Sequence, residues 1–240
     1  MIFLTYIPLG LLTILLWILV RRGAYKAVPC FFAYIAFAVT ADAARFVVHT
    51  HSDAYYRTYW ITEAAYDVLG ILVMYEVLRM VLGTLTRAWW ARLIFPAVLI
   101  SSLGISLARA NLVPSRLGGI LLYIVIGEIA VRFVQVFVFA GLVTLAPIIG
   151  VRWRQYPFGI ATGFGLYATV ALLTTTKFSD FGTRFKILWG VTSLVAYSVA
   201  VLIWIWFFSV PQKVETPKFE SSAPSPGELK QYKDALRRMR

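Results

Sequence analysis

Cysteine occurs once in the 240 residues, at Cys30. A single thiol excludes an internal disulfide and any cysteine-based metal cluster, and we read it as a small apolar residue of the interior. Histidine occurs twice, at His49 and His51, in no spacing that resembles a metal or haem site. Charge is scarce: 14% of residues are Asp, Glu, Lys or Arg, against roughly 25% in soluble domains. Acids are scarcer still, 11 against 23 Lys plus Arg, which leaves a formal net charge of +12. Catalytic signatures are also missing. No HExxH, GxSxG, P-loop, CxxC or dinucleotide fingerprint is present, so no reaction class is indicated and no cofactor or metal is expected.

What remains is apolar. Hydrophobic residues make up 60% of the chain and aromatic residues 16%, with Trp and Tyr near the ends of the apolar runs, where amphipathic rings favour a bilayer interface. A spanning helix needs about 20 mainly apolar residues. Seven runs qualify as candidates, over approximately 2-20, 27-49, 60-82, 93-108, 117-149, 158-175 and 187-210. The expected fold is therefore all-α: a polytopic bundle of seven transmembrane helices over 1-210, followed by a tail over 211-240. The first run has no basic residue before it and no small-x-small site after it, so we read it as a helix of the mature chain. Pro96 in the fourth run is tolerable where neighbours satisfy the freed carbonyl. Pro147 is expected to end or kink the fifth.

The basic residues set an orientation. One side of such a bundle carries 14 of them, around Arg21, Arg87 and Arg152 and in the tail, and the other side carries 6. The positive-inside rule then places the N-terminus outside and the C-terminus in the cytoplasm. Orientation in a bilayer explains the basic excess, and no nucleic-acid partner is expected. Short loops make consecutive helices antiparallel neighbours. The tail is rich in Pro and Ser as far as Pro226, a composition that disfavours order. Ser225 and Glu228 fit a capping box, with Pro226 at the first helical position. Leu229, Tyr232, Leu236 and Met239 then share one face of a short basic amphipathic helix. That face suits an anionic lipid surface or a cytoplasmic or membrane protein partner.

The informative residues are charges inside apolar runs, which are costly there and normally face a bundle interior or a wet cavity. Glu128, Arg132 and Gln135 fall at i, i+4 and i+7 and share one helix face. Asp42 and Arg45 lie late in the second run, and Glu63 and Asp67 lie early in the third. With the orientation above, all of them sit in the outer half of the bundle or near mid-depth. Four acids and two bases converging would make a net-negative polar site for a small polar or cationic ligand, or a proton-coupled switch. Glu63 and Asp67 repel each other at i, i+4 and need a cation nearby, with Arg45 and Arg132 as candidate partners; the competing reading is helix pairing alone, Arg132 with Asp67 or Glu63 and Arg45 with Glu128 or Asp42. Glu76 and Arg79 are expected as an interfacial pair that snorkels outward, and His49 and His51 as solvated rim residues. Gly159 and Gly163 form a small-xxx-small pair suited to close helix packing. No lysine lies between Ile187 and Ser209, which excludes an ordinary retinal Schiff base in the seventh helix.

Arg45-Phe46, Tyr59-Trp60 with Glu63, Tyr75-Glu76, and Phe158-Gly159-Ile160-Ala161 with Gly163-Phe164-Gly165 resemble a group of uncharacterised bacterial seven-helix integral membrane proteins. The resemblance covers helices two to seven and implies the architecture and a bacterial inner (cytoplasmic) membrane. The layout is more loosely similar to the seven-helix input modules of bacterial sensor kinases, although only about 30 residues follow the seventh helix here. Three functions fit: a receptor or sensor that signals to a separate partner, a structural or accessory subunit of a membrane complex, and a small proton-coupled transporter. The absence of an internal duplication weakens the third.

Overall fold

The computed structural model describes residues 2–82, 89–110, 120–149, 156–181 and 186–210. Among the described residues there are seven α-helices and no strand: α1 (Ile2–Arg21), α2 (Pro29–Val48), α3 (Ser52–Leu82), α4 (Trp89–Ala110), α5 (Ile120–Ile149), α6 (Tyr156–Phe181) and α7 (Lys186–Ser209). The tail, with Leu229, Tyr232, Leu236 and Met239, lies outside the described residues. Among the described residues four helical stretches are long and apolar enough to cross a membrane: Pro29–Val48, Leu122–Thr144, Tyr156–Thr174 and Gly190–Ser209. Ile7–Arg21 and Leu93–Ala108 are apolar but shorter. α3 is long enough, but Asp53, Arg57, Glu63, Asp67, Glu76 and Arg79 lower its hydropathy.

Local chemistry sets the helix ends. α3 begins at Ser52, eight residues before the apolar run at Trp60, because its polar first turns are good helix in water and Asp53 complements the dipole there. α5 continues through Pro147 to Ile149 and does not end at the proline. Gly23 closes α1 at φ 64°, a left-handed conformation that glycine adopts without steric cost. A single 3-10 turn, Ala24–Lys26, then leads into α2.

The helices close into a ring. α1 packs on α2 and α7, α2 on α3, α3 on α5, α5 on α6 and α6 on α7, while α3 also reaches α6 across the middle. α4 stands outside the ring, mainly against α5. Close approach of α6 to its neighbours depends on glycine. A methyl group on Gly159 would lie 2.4 Å from the Phe207 ring, and one on Gly163 would lie 2.2 Å from Trp204 Nε1, both on α7. On Gly165 it would meet the Phe139 ring of α5 at 2.4 Å. Such close approach is what drives helix association where lipid is as apolar as the side chains.

An aromatic core fills one half of the ring. Phe31 stacks on Phe208 at 5.4 Å and meets Trp204 edge-on at 5.2 Å, and Phe164 lies 4.8 Å from Trp204. Trp204 Nε1 donates to the Ile160 carbonyl at 3.3 Å, so its one polar atom is satisfied inside the core. Tyr34, 5.0 Å from Phe164, marks where this apolar half gives way to a polar one.

Candidate functional site

Next to the aromatic core, the ring encloses a cavity of about 140 Å³. Tyr34, Asp42 and Arg45 of α2, Glu63, Tyr66 and Asp67 of α3, Val131, Arg132 and Gln135 of α5, Tyr167 of α6 and Tyr197 of α7 line it. Its floor is Tyr34. Asp42 and Arg45 follow on the same helix, roughly 12 and 16 Å further along at the usual rise, toward the end that carries the α2–α3 turn. Fully buried side chains surround the floor, whereas Asp42, Arg45, Glu63 and Asp67 are all partly exposed. Solvent therefore reaches the cavity at its charged side chains.

The helices deliver these groups for simple geometric reasons. Glu63 and Asp67 are one turn apart on α3, as are Glu128 and Arg132 on α5, so each pair shares a face. Gly70 of α3 faces α5, where a Cβ would lie 3.1 Å from Val131 Cγ1 and 3.5 Å from Gln135 Nε2. Gly127 of α5 faces α3, where a Cβ would lie 3.4 Å from Asp67 Oδ2. The two glycines let α3 and α5 approach where their polar faces meet.

Arg45 is engaged through Nε and Nη2. Its Nη2 lies 2.9 Å from Glu63 Oε1, its Nε donates to Thr62 Oγ1 at 2.9 Å, and Nη2 also reaches Thr62 Oγ1 and the Tyr59 carbonyl. The guanidinium also lies 4.8 Å from the centre of the Tyr59 ring and 5.6 Å from that of Tyr66. Arg45 and Glu63 are each 17% exposed. This is a clasp between α2 and α3, formed with Glu63, one of the two acids that call for a cation, and not with the Glu128 or Asp42 of the helix-pairing reading.

Arg132 is held more loosely. Its nearest carboxylate is Glu128 at 3.5 Å, on its own helix, and it donates to Gln135 Oε1 at 3.4 Å. It stacks over Tyr167 at 4.5 Å, and its buried Nε has no hydrogen-bond partner. The pairing with Asp67 or Glu63 expected from the sequence is not formed, because the i, i+4 carboxylate on α5 is already within reach. Glu128 is 40% exposed and, alone of the seven polar residues singled out in the sequence, does not line the cavity.

Asp42 and Asp67 make no ion pair or side-chain hydrogen bond among the described residues, yet both line the cavity. Counted as ionised, three carboxyls and two guanidinium groups line it, a formal charge of −1, and Glu128 beside Arg132 brings the cluster to −2. Among the described residues no three His, Cys, Asp or Glu side chains converge as a metal site. His49 and His51 are exposed at the rim, His49 with Nδ1 2.6 Å from the Phe46 carbonyl oxygen.

Four lining tyrosines, Tyr34, Tyr66, Tyr167 and Tyr197, were not legible as site residues. Tyr34 packs edge-on to Tyr66 at 5.6 Å, and Tyr167 to Tyr197 at 5.3 Å. An aromatic residue in an apolar helix reads by default as packing, and only its position beside the charges marks it here.

Glu76 also departs from expectation. It does not pair with Arg79 at the interface but is buried, with Arg79 exposed. Its two oxygens accept the backbone N–H groups of Cys30 and Phe31, each at 3.0 Å. α2 starts with Pro29 after Val28, which supplies no side-chain cap. The first free amides of α2 therefore take their acceptor from α3, at the positive end of the helix dipole.

Comparison with protein-family models, with curated proteins and with solved structures finds no match for this chain.

Proposed function

We propose that the chain crosses the bacterial inner membrane seven times, N-terminus outside, and works as a receptor- or sensor-like protein with a polar pocket in the outer half of its bundle. The observation that carries this reading is a cavity walled by five helices in which Asp42 and Asp67 stand without partners. Unpaired acids in a spanning bundle are costly, and helix pairing alone does not require them. An occupant touching five helices at once biases their relative positions. That gives differential contact with two bundle arrangements, which a signal requires. The signal passes to a separate partner, with the tail around Leu229, Tyr232, Leu236 and Met239 as the contact. The architecture is that of the uncharacterised bacterial seven-helix proteins that the sequence resembles.

A second reading, an accessory subunit of a membrane complex, draws on the Arg45–Glu63–Thr62 clasp, which is what helix pairing alone looks like. The two readings separate in one experiment. The tagged full chain is purified from native membranes beside the Asp67→Asn variant and a chain lacking residues 226–240. A receptor predicts a partner whose recovery falls on tail deletion and changes severalfold with Asp67→Asn. Recovery independent of Asp67 would favour the subunit reading.

A further inference from the structure

We propose, building on the pocket reading above, that the cavity takes a small organic ammonium ion, its charge on the Asp42 and Asp67 carboxyls and its alkyl groups against the tyrosines. Four features point to this class. The sign is the first. The acids outnumber the bases: Arg45 is clasped to Glu63 and Thr62, and Arg132 lies over Tyr167 beside Glu128 with its Nε unpartnered. An anionic ligand would meet the Asp42 and Asp67 carboxyls, which have no cation paired to them, and only the Nε of Arg132 is left to receive it.

The lining is the second feature. Tyr34, Tyr66, Tyr167 and Tyr197 give the cavity an aromatic wall, and aromatic rings with nearby carboxylates are the usual setting for alkylammonium recognition. The third is the lack of metal geometry. Hard divalent ions want about six to eight oxygens, and among the described residues no three ligating side chains converge. Size is the fourth. A cavity of about 140 Å³ compares with one of about 150 Å³ known to admit benzene, a ligand of about six heavy atoms. Tetramethylammonium is of that size. Gln135, 1% exposed, faces the cavity with an amide nitrogen that has no partner among the described residues, so the wall is polar at its most buried point as well.

The test uses the full chain in detergent, titrated with tetramethylammonium chloride at constant ionic strength set by sodium chloride. Intrinsic fluorescence and the unfolding temperature are read. We expect a saturable rise in unfolding temperature with tetramethylammonium and none with sodium. Asp67→Asn should weaken half-saturation by roughly tenfold or more, the effect of losing one charged contact. A second variant, Gly70→Ala, changes no charge but pushes a methyl group against Val131 and Gln135 in the cavity wall. It should weaken tetramethylammonium more than the smaller methylammonium. An equal response to sodium, or tetramethylammonium binding indifferent to both variants, would overturn the proposal. Saturable binding of sodium acetate instead, lost in Gly70→Ala, would overturn the cationic class while leaving a pocket in place. No saturable response to any of these salts would remove the pocket reading as well.

Discussion

Replacing Arg132 by Met is expected to lower the unfolding temperature in detergent by roughly 6–12 °C, equivalent to about 3 kcal/mol. Arg132 is 14% exposed and is a cation set among Glu128, Asp67 and the Tyr167 ring. Removing one partner of a buried charge cluster is strongly destabilising because the opposite charges stay behind. Here four acids would face Arg45 alone, and Arg45 is committed to Glu63. The value is set at the low end of the usual range because Glu128 is 40% exposed and the contact is long, at 3.5 Å. Arg132→Lys keeps the charge but loses the planar stacking over Tyr167, so a smaller loss is expected. Thermal unfolding of the two variants beside the parent checks the order. An unchanged Arg132→Met protein would mean that the neighbouring acids do not depend on this cation.

Glu76→Ala is expected to cost about 3 kcal/mol, the worth of two hydrogen bonds to a charged acceptor at a helix N-terminus. The two amides at stake, on Cys30 and Phe31, lie beside Phe208 and Trp204 in the aromatic core. Neither has a carbonyl within its own helix to turn to. Glu76→Gln leaves one acceptor oxygen in place and should recover about half of the loss. Hydrogen exchange gives the local readout: protection of the Cys30 and Phe31 amides should fall in Glu76→Ala well before that of the α7 core. Equal protection in parent and variant would show that the carboxylate does not hold this helix end.

The apolar runs were enough to locate the seven helices of the described residues, although only four of those helices hold a stretch long and apolar enough to span a bilayer. α3 was read short because its first two turns, from Ser52 to Tyr59, are polar helix and give no hydropathy signal. Convergence of the charged faces could also be anticipated from i, i+4 spacing, and Asp42, Arg45, Glu63, Asp67, Arg132 and Gln135 do line one cavity. Partner choice could not be read. Which acid Arg45 reaches depends on how far α3 extends past α2, and which acid Arg132 reaches depends on rotamers on α5. Glu76 left a usable trace that was missed. A helix opening on Val28-Pro29 with no Ser, Thr, Asp or Asn to cap it must find an acceptor elsewhere, and few candidates exist in so apolar a chain.

One distinction decides how this protein is to be understood: Arg45 and Glu63 form a clasp, whereas Asp42 and Asp67 face open space. The direct measurement is accessibility of Asp67→Cys, in a background where the single native thiol is removed by Cys30→Ala. A membrane-impermeant methanethiosulfonate carrying a quaternary ammonium group is added to intact cells. Labelling of Asp67→Cys from outside is expected, with Val73→Cys, fully buried on the same helix, left unreacted. Protection of Asp67→Cys from the outside reagent, or labelling only after the cytoplasmic face is opened, would contradict an outward-facing pocket.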